Sequence, residues 1–280
     1  MYGVLLAGGT GSRLWPLTEH ANKHALPVYD RPMIFHSLGN LVRANIYDIV
    51  VVTGGEHYEQ IKTLLDTTNA ANEKSTRDLI DLPESENLNM RYRLQDRPAG
   101  IADALSLAQW IVRDQPITVM LADNIFENDY VLTAPVKQFT SGAHIFLKEI
   151  PTEQLFETVE TRKDNVKRAK YGMARIEKDR VVEIIEKPTL EKLPSNYAVT
   201  GAYLYDQDVF SIVHTLTPSK RGELEITDVN NAYIKLGKMK YSIIDGWWAD
   251  AGESKDGLFL ASEQVRRKMM RKTIEDKFSQ

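Results

Sequence analysis

Tyr2-Gly3-Val4-Leu5-Leu6-Ala7 runs directly into Gly8-Gly9-Thr10-Gly11-Ser12-Arg13-Leu14. A short apolar run that stops at glycines reads as a buried strand rather than a helix. Three glycines within four positions let the backbone turn tightly and bring its N–H groups against a ligand. At the carboxyl end of a parallel strand that ligand is usually phosphate. Two familiar phosphate loops do not fit. A P-loop ends in Gly-Lys-Ser/Thr, whereas this loop ends in Ser12-Arg13. A dinucleotide fingerprint needs a third glycine where Leu14 stands, which argues against a dehydrogenase. The loop instead carries a fixed cation, Arg13, and Lys23 follows before Pro27. The plainer reading of the glycines alone is a tight turn flanked by surface cations.

Outward from this loop, strand-like runs recur at Asp48–Thr53, Met90–Leu94, Ile117–Ala122 and Ala143–Ile150. Helical spacing fills the gaps. Ile34, Leu38, Leu41 and Val42 share one face behind Pro32, as do Ile61, Leu64 and Leu65, and then Ala104, Leu107, Ala108 and Ile111. This alternation predicts a mostly parallel sheet covered on both sides. The second half is less regular. Strands are expected at Val181–Ile185, Ala198–Tyr205 and Met239–Ile244. Helices are expected at Asp206–Leu216, Ile226–Leu236 and through Leu258, Val265 and Met269. The polar stretches Thr67–Asn89 and Pro151–Lys170 read as insertions or mobile loops. No repeat or low-complexity linker separates the halves, so the chain reads as a single domain over 1–280.

Composition narrows the function classes. The 280 residues carry 35 Lys+Arg against 39 Asp+Glu, a formal net charge of −4, which advertises no nucleic-acid or membrane partner. The basic run Arg266–Lys277 reads as a solvated helix face. There is no cysteine, which excludes disulfides, thiolate metal sites and cysteine nucleophiles. No apolar run reaches the ~18 residues of a membrane span, and the first one is too short for a signal-peptide core. A cytoplasmic protein is expected. His20 and His24 lie four apart, but no glutamate-bearing zinc motif accompanies them.

Several ordered motifs then converge. Gly8 to Thr18 (GGTGSRLWPLT), Asn22 to Val28 (NKHALPV) and Arg31-Pro32-Met33-Ile34 resemble the sugar-phosphate nucleotidyltransferase signature. Asp123 to Phe126, Tyr171-Gly172, Glu186-Lys187-Pro188, Ser195 to Gly201 and Arg221 to Asp228 (RGELEITD) are similar, in order, to the glucose-1-phosphate thymidylyltransferases. The resemblance runs from residue 2 to about residue 262. It implies an α/β, three-layer Rossmann-like nucleotidyltransferase fold with a mixed, mainly parallel central sheet. The N-terminal half would bind nucleotide and the C-terminal half sugar phosphate.

The resemblance also implies roles. Leu6, Gly8, Gly9, Thr10, Gly11, Gln95, Pro98 and Gly100 would hold the nucleotide, Gln95 reading the base edge through its amide. Arg13 and Lys23 would clamp the triphosphate and the departing pyrophosphate. Asp123 and Asp250 would hold Mg²⁺; helix capping is the plainer role for Asp123. Tyr171, Gly172, Glu186, Lys187, Val199 and Arg221 would form the sugar-phosphate site. The partners implied are a nucleoside triphosphate and a sugar 1-phosphate, with a dimer or tetramer as the assembly. Glucose 1-phosphate and dTTP are the first expectation. UTP, another hexose 1-phosphate, or a non-catalytic nucleotide-sugar sensor are the alternatives. Three positions depart from the thymidylyltransferase pattern: His24 stands where glutamine is usual, Ala99 where an acidic residue is usual, and Ala251 where threonine is usual. Trp247 and Trp248 are expected to pack around Asp250.

Overall fold

The structure, a computed structural model, describes residues 1–67, 74–156 and 167–278. Its internal contacts divide the chain into two interleaved compact units. One comprises Met1–Pro98, Thr118–Gln138 and Gly246–Gln280, and the other Ala99–Ile117 and Phe139–Asp245.

In the first unit, the strands Ile117–Leu121, Tyr2–Ala7, Asp48–Gly54 and Asn89–Gln95 lie side by side in that order. Tyr2–Ala7 runs parallel to Asp48–Gly54, with Ala7 opposite Thr53, and Asp48–Gly54 parallel to Asn89–Gln95, with Gly54 opposite Gln95. This register brings the glycine loop and Gln95 to one end of the sheet. The helix Met33–Arg43 buries Ile34, Leu38, Leu41 and Val42, the stripe its spacing foretold. A second pairing sets Trp248–Asp250 antiparallel to Asn124–Phe126. Leu258, Ala261 and Val265 of the helix Lys255–Phe278 bury against Leu14, Val28, Met33, Ile125 and Ala251. Each fully buried leucine there contributes about 1.5–3 kcal/mol. Leu14, which breaks the dinucleotide fingerprint, is therefore the bolt that fastens the glycine loop to this cluster.

The second unit is mostly antiparallel. Gly172–Glu177 and Arg180–Glu186 form a hairpin, and Tyr197–Tyr205 pairs with both Gly172–Glu177 and Ala143–Glu149. Met239–Ile243 adds a parallel edge to Ala143–Glu149. The helices include Asp208–Thr215 and Ile226–Lys235. The expected α/β class, with a mixed, mainly parallel central sheet and flanking helices, is borne out.

Local expectations needed correction. The helical stripe Ala104–Ile111 is two short helices, Ile101–Ser106 and Gln109–Val112, because Leu107 and Ala108 interrupt the regular turns. The strand Gly172–Glu177 escaped the sequence reading. Its turn is Lys178-Asp179, with φ of 48° and 58°, which lacks the glycine that usually marks a two-residue hairpin. The stretch Thr67–Asn89 carries a helix, Lys74–Leu79, and is anchored: the Arg77 guanidinium donates to the Pro83 and Glu86 carbonyls at 2.8 and 2.6 Å, and Ile80 is fully buried. In Pro151–Lys170, Leu155 and Ala169 are buried and Lys170 N–H donates to the Leu155 carbonyl at 2.9 Å. Residues 68–73 and 157–166 of these two stretches lie outside the described residues. The basic C-terminal run is partly neutralised: Lys268 pairs with Asp129 at 2.6 Å, and Arg271 with Glu127 at 3.2 Å. Among the described residues no helix is long and apolar enough to cross a membrane.

Candidate active site

The loop after the first strand wraps around the stem of Lys23. Gly11 adopts φ 65°, and a Cβ there would sit 2.9 Å from Thr18 Cγ2 and 3.3 Å from Lys23 Cβ. Any side chain would be strained by the left-handed backbone and crowded as well. Thr18 Oγ1 donates to the Gly11 carbonyl at 2.9 Å, closing the loop on itself. Gly9 also has a positive φ, 96°, and Thr10 and Arg13 are exposed. Gly8 faces Gln95, whose Oε1 would be 3.2 Å from an added Cβ. Gln95 is only 7% exposed, so it is not an ordinary surface residue. Leu6 is buried in the strand behind the loop, and Pro98 is exposed.

Lys23 begins a three-residue 3₁₀ turn and its Nζ donates to Asp123 Oδ2 at 2.5 Å. Asp123 follows the strand Ile117–Leu121, and Ala251 N–H donates to its carbonyl at 2.9 Å, so the Asp250 segment is tied to it. Asn124 Nδ2 donates to Asp123 Oδ1 at 3.0 Å, and Trp248 Nε1 donates to Asn124 Oδ1 at 2.8 Å. Trp247 packs in the apolar cluster beside Ala251. Both tryptophans thus support the Asp250 segment, as expected. Gly252 closes the other side. A Cβ on it would stand 2.5 Å from Asp123 Oδ2 and 2.9 Å from Lys23 Nζ.

The electrostatics follow from one cation shared by two acids, Asp123 buried and Asp250 half-buried. Burial alone would lower the Lys23 pKa, but Asp123 and Asp250 reverse that and hold it above the ordinary lysine value. Burial alone would raise Asp123, yet the Lys23 ammonium holds it well below the carboxylate range. Asp250 is pushed up to about 7, by burial first and then by the charge of Asp123. A second carboxylate strained in this way suits a hard divalent cation. Two carboxylates, completed by phosphate oxygens and water, are a donor set that Mg²⁺ accepts. Beside them, burial and then Lys23 push the His24 ring down to about 3, so it is neutral near pH 7. His20 is exposed while His24 is buried, and no group of three or more metal-ligating side chains forms among the described residues.

The expected sugar residues gather in the second unit. Glu186 ends its strand opposite Gly172 and accepts from Thr227 Oγ1 at 2.6 Å. Burial raises the Glu186 pKa. Gly172 fits tightly: a Cβ would lie 3.2 Å from both Glu186 Oε2 and Thr227 Oγ1. Lys187 has φ 44° directly before Pro188, an uncommon conformation that no turn glycine explains, and its N–H donates to the Tyr171 carbonyl at 3.2 Å. Val199 pairs with Leu147 where the strand register shifts. Arg221, expected to hold phosphate, is engaged by carboxylates: both Glu225 oxygens at 2.9 Å, Glu223 at 3.2 Å and Glu186 at 3.6 Å. Gly100, expected to make room for a base, has φ 105° and faces the Leu224 backbone, whose oxygen would be 2.4 Å from a Cβ. Its missing side chain is needed for that approach. Gly252, Asn124, Glu225 and Thr227 were not foreseen as site residues, although Asn124, Glu225 and Thr227 sat inside quoted motifs.

The sequence profile of the nucleotidyl transferase family matches residues 2–268. The chain belongs to this family. Among curated proteins it is 34% identical over 259 residues to a glucose-1-phosphate thymidylyltransferase of Actinoplanes sp., covering 91% of this chain and 75% of that one. It is 35% identical over 257 residues to the enzyme of that name from Neisseria meningitidis, covering 90% and 78%. A Bacillus anthracis crystal structure provisionally assigned as a glucose-1-phosphate thymidylyltransferase, in complex with sucrose, superposes with a TM-score of 0.77 at 38% identity, over 95% of both chains. The motif resemblance to sugar-phosphate nucleotidyltransferases is borne out, and with it the assignment of this family member as an enzyme.

Proposed function

We propose that this nucleotidyltransferase joins glucose 1-phosphate to dTTP, giving dTDP-glucose and pyrophosphate. The observation that carries the reading is the Lys23–Asp123 pair, with Asp250 beside it, set directly behind the glycine loop. Relatives named glucose-1-phosphate thymidylyltransferase, 34–35% identical across most of the chain, support the choice of base and sugar.

The reaction crowds negative charge. A phosphate oxygen of the sugar 1-phosphate attacks the α-phosphorus, the bond from that phosphorus to the bridging oxygen breaks, and pyrophosphate leaves. No covalent enzyme intermediate is required, so the protein contributes positioning and electrostatic stabilisation. Backbone N–H groups of Gly8 to Gly11 cradle the triphosphate. Arg13 offers a planar fork and Lys23 a point charge to the departing pyrophosphate. Gln95, buried against Gly8, presents its amide to the pyrimidine edge. Asp123 and Asp250 hold Mg²⁺, which when bound offsets charge on the phosphate oxygens. Glu186, held by Thr227, accepts hydrogen bonds from sugar hydroxyls with help from Tyr171, Gly172 and Val199, and Lys187 holds the sugar phosphate. A homo-oligomer, dimer or tetramer, is part of the same proposal and is read by light scattering.

Incubating the protein and Mg²⁺ with each of four or five triphosphates and several sugar 1-phosphates, and weighing the products, tests the reading. The dTTP and glucose 1-phosphate pair should give the highest kcat/KM. A clear preference for UTP, or for another hexose, would replace those substrates. No product from any pair would favour a nucleotide-sugar sensor.

A further inference from the structure

The 3₁₀ turn Lys23–Ala25 is too short to hold a side chain in place by its own hydrogen bonds. The residues before and after Lys23 supply what it lacks. Asn22 is 3% exposed and His24 is 1% exposed, so both side chains are shielded from bulk solvent. Asn22 Oδ1 accepts the His24 backbone N–H at 2.9 Å, capping the turn. The same oxygen lies 2.8 Å from His24 Nδ1. Because the backbone N–H can only donate, the atom facing it is the amide oxygen, and that oxygen can only accept from the ring. That contact calls for the ring proton on Nδ1, and the Ala7 backbone carbonyl is a second acceptor within reach of the ring. The Asn22 backbone is fixed in turn, its N–H donating to Gln60 Oε1 at 2.8 Å from the helix Tyr58–Asp66. On the far side of the ring, His24 Nε2 is 3.9 Å from Asp123 Oδ2, the oxygen that Lys23 Nζ reaches at 2.5 Å.

We propose that Asn22 is a positioning residue of the reaction: one side-chain oxygen caps the turn and locks the His24 ring as the Nδ1–H tautomer, so that Lys23 is presented to Asp123 and the glycine loop. This gives a meaning to histidine at position 24. A ring that fills a buried slot between Asn22 and Asp123 replaces a flexible side chain by a rigid one. The proposal rests on the reading of Lys23 as a phosphate clamp and goes beyond it by naming what orients that clamp. Asn22 touches no substrate; its effect passes through Lys23.

The experiment pairs ring ¹⁵N spectroscopy with steady-state kinetics on the full chain. In the wild-type protein at pH 7.5, His24 should show a protonated-type Nδ1 and a bare Nε2. Asn22→Ser keeps a capping oxygen but is too short to hold the ring as well. It should retain the wild-type unfolding midpoint within a few degrees, lose the fixed tautomer, and lower kcat several-fold. Asn22→Ala should lower kcat at least tenfold, with the KM for sugar 1-phosphate changed less than twofold. In a Lys23→Met background, Asn22→Ala should add little further loss. An Nε2–H tautomer in the wild-type protein would overturn the proposal, as would an Asn22→Ser kcat within a factor of two of wild type once the tautomer is lost. If Lys23→Met itself keeps full turnover, the clamp reading fails. If Lys23→Met loses turnover while both Asn22 variants keep it, only the positioning role fails. Should Asn22→Ala not fold, the wild-type spectrum and Asn22→Ser decide.

Discussion

Gly252→Ala isolates the geometry of the charged cluster with the addition of one methyl group. Gly252 does not adopt a positive φ, so alanine meets no backbone penalty there. Its N–H bond to Asp250 Oδ1, 3.1 Å, survives the change. What the methyl meets is Asp123 Oδ2 at 2.5 Å and Lys23 Nζ at 2.9 Å. Non-bonded carbon contacts are comfortable at about 3.5 Å, so the carboxylate oxygen must retreat by roughly 1 Å. Asn124 holds Asp123 Oδ1 and the Ala251 N–H holds its backbone, so the carboxylate cannot swing away freely, and any retreat of the Lys23 ammonium along its flexible stem carries it off its present contact. A misplacement of roughly 1 Å in a catalytic group costs on the order of 10²-fold in rate, and overpacking costs about 1–3 kcal/mol in stability. Pyrophosphate release under saturating substrates should therefore fall about a hundredfold, while the protein stays folded with a lowered Tm. A Gly252→Ala enzyme with kcat within threefold of wild type would refute the argument, because the Lys23–Asp123 contact would then not need its present position.

Arg13→Ala should lower kcat by about two orders of magnitude, the scale of losing one preorganised charge donor, in the same pyrophosphate assay. Leu14→Ala should destabilise the protein by about 2–5 kcal/mol in urea unfolding, since Leu14 is fully buried in the cluster that anchors the glycine loop. Stability should fall as pH drops below about 6.5. Desolvation, and then the Arg31 charge, hold half-buried His36 down to about 4, below its ordinary value of 6.5. The unfolded chain thus takes up the proton first. The contribution is complete above about pH 6.5 and is lost toward pH 4, at no more than about 1.4 kcal/mol per pH unit for this group. His36→Gln should remove that share of the slope between pH 7 and 5 in urea titrations.

The parts of the molecule legible in its sequence are those where local pattern and tertiary demand agree. The apolar run into Gly8 and the stripe Ile34-Leu38-Leu41-Val42 are buried by the same pattern that revealed them. Asp123 and Asp250 were singled out through the family resemblance, not through any local pattern of their own. Gly252 was invisible as a functional position: a glycine reports a close approach only when the approaching atoms, here Asp123 Oδ2 and Lys23 Nζ, are known. Asn124–Phe126 and Trp248–Asp250 are three-residue strands, too short for any period to show. Gly172–Glu177 was hidden by a turn of two non-glycine residues. The carboxylates around Arg221 come from Glu186 and from Glu223 and Glu225. Two of these acids stand two and four residues after Arg221 in the same motif, but a motif does not say that they turn back onto the arginine, and Glu186 joins them only through the fold. His24 stood out in the sequence only as a departure; its place between Asn22 and Asp123 needed the structure.

The central claim is that Lys23, Asp123 and Asp250, with a divalent ion, drive nucleotidyl transfer at the glycine loop. Pyrophosphate release from dTTP and glucose 1-phosphate, measured against Mg²⁺ concentration for wild type and Asp123→Asn, tests it most directly. The account predicts wild-type turnover that saturates with Mg²⁺ and disappears in chelator, and Asp123→Asn turnover lower by about a hundredfold or more. Turnover that persists in chelator, or an Asp123→Asn enzyme with the full Mg²⁺-dependent rate, would contradict it.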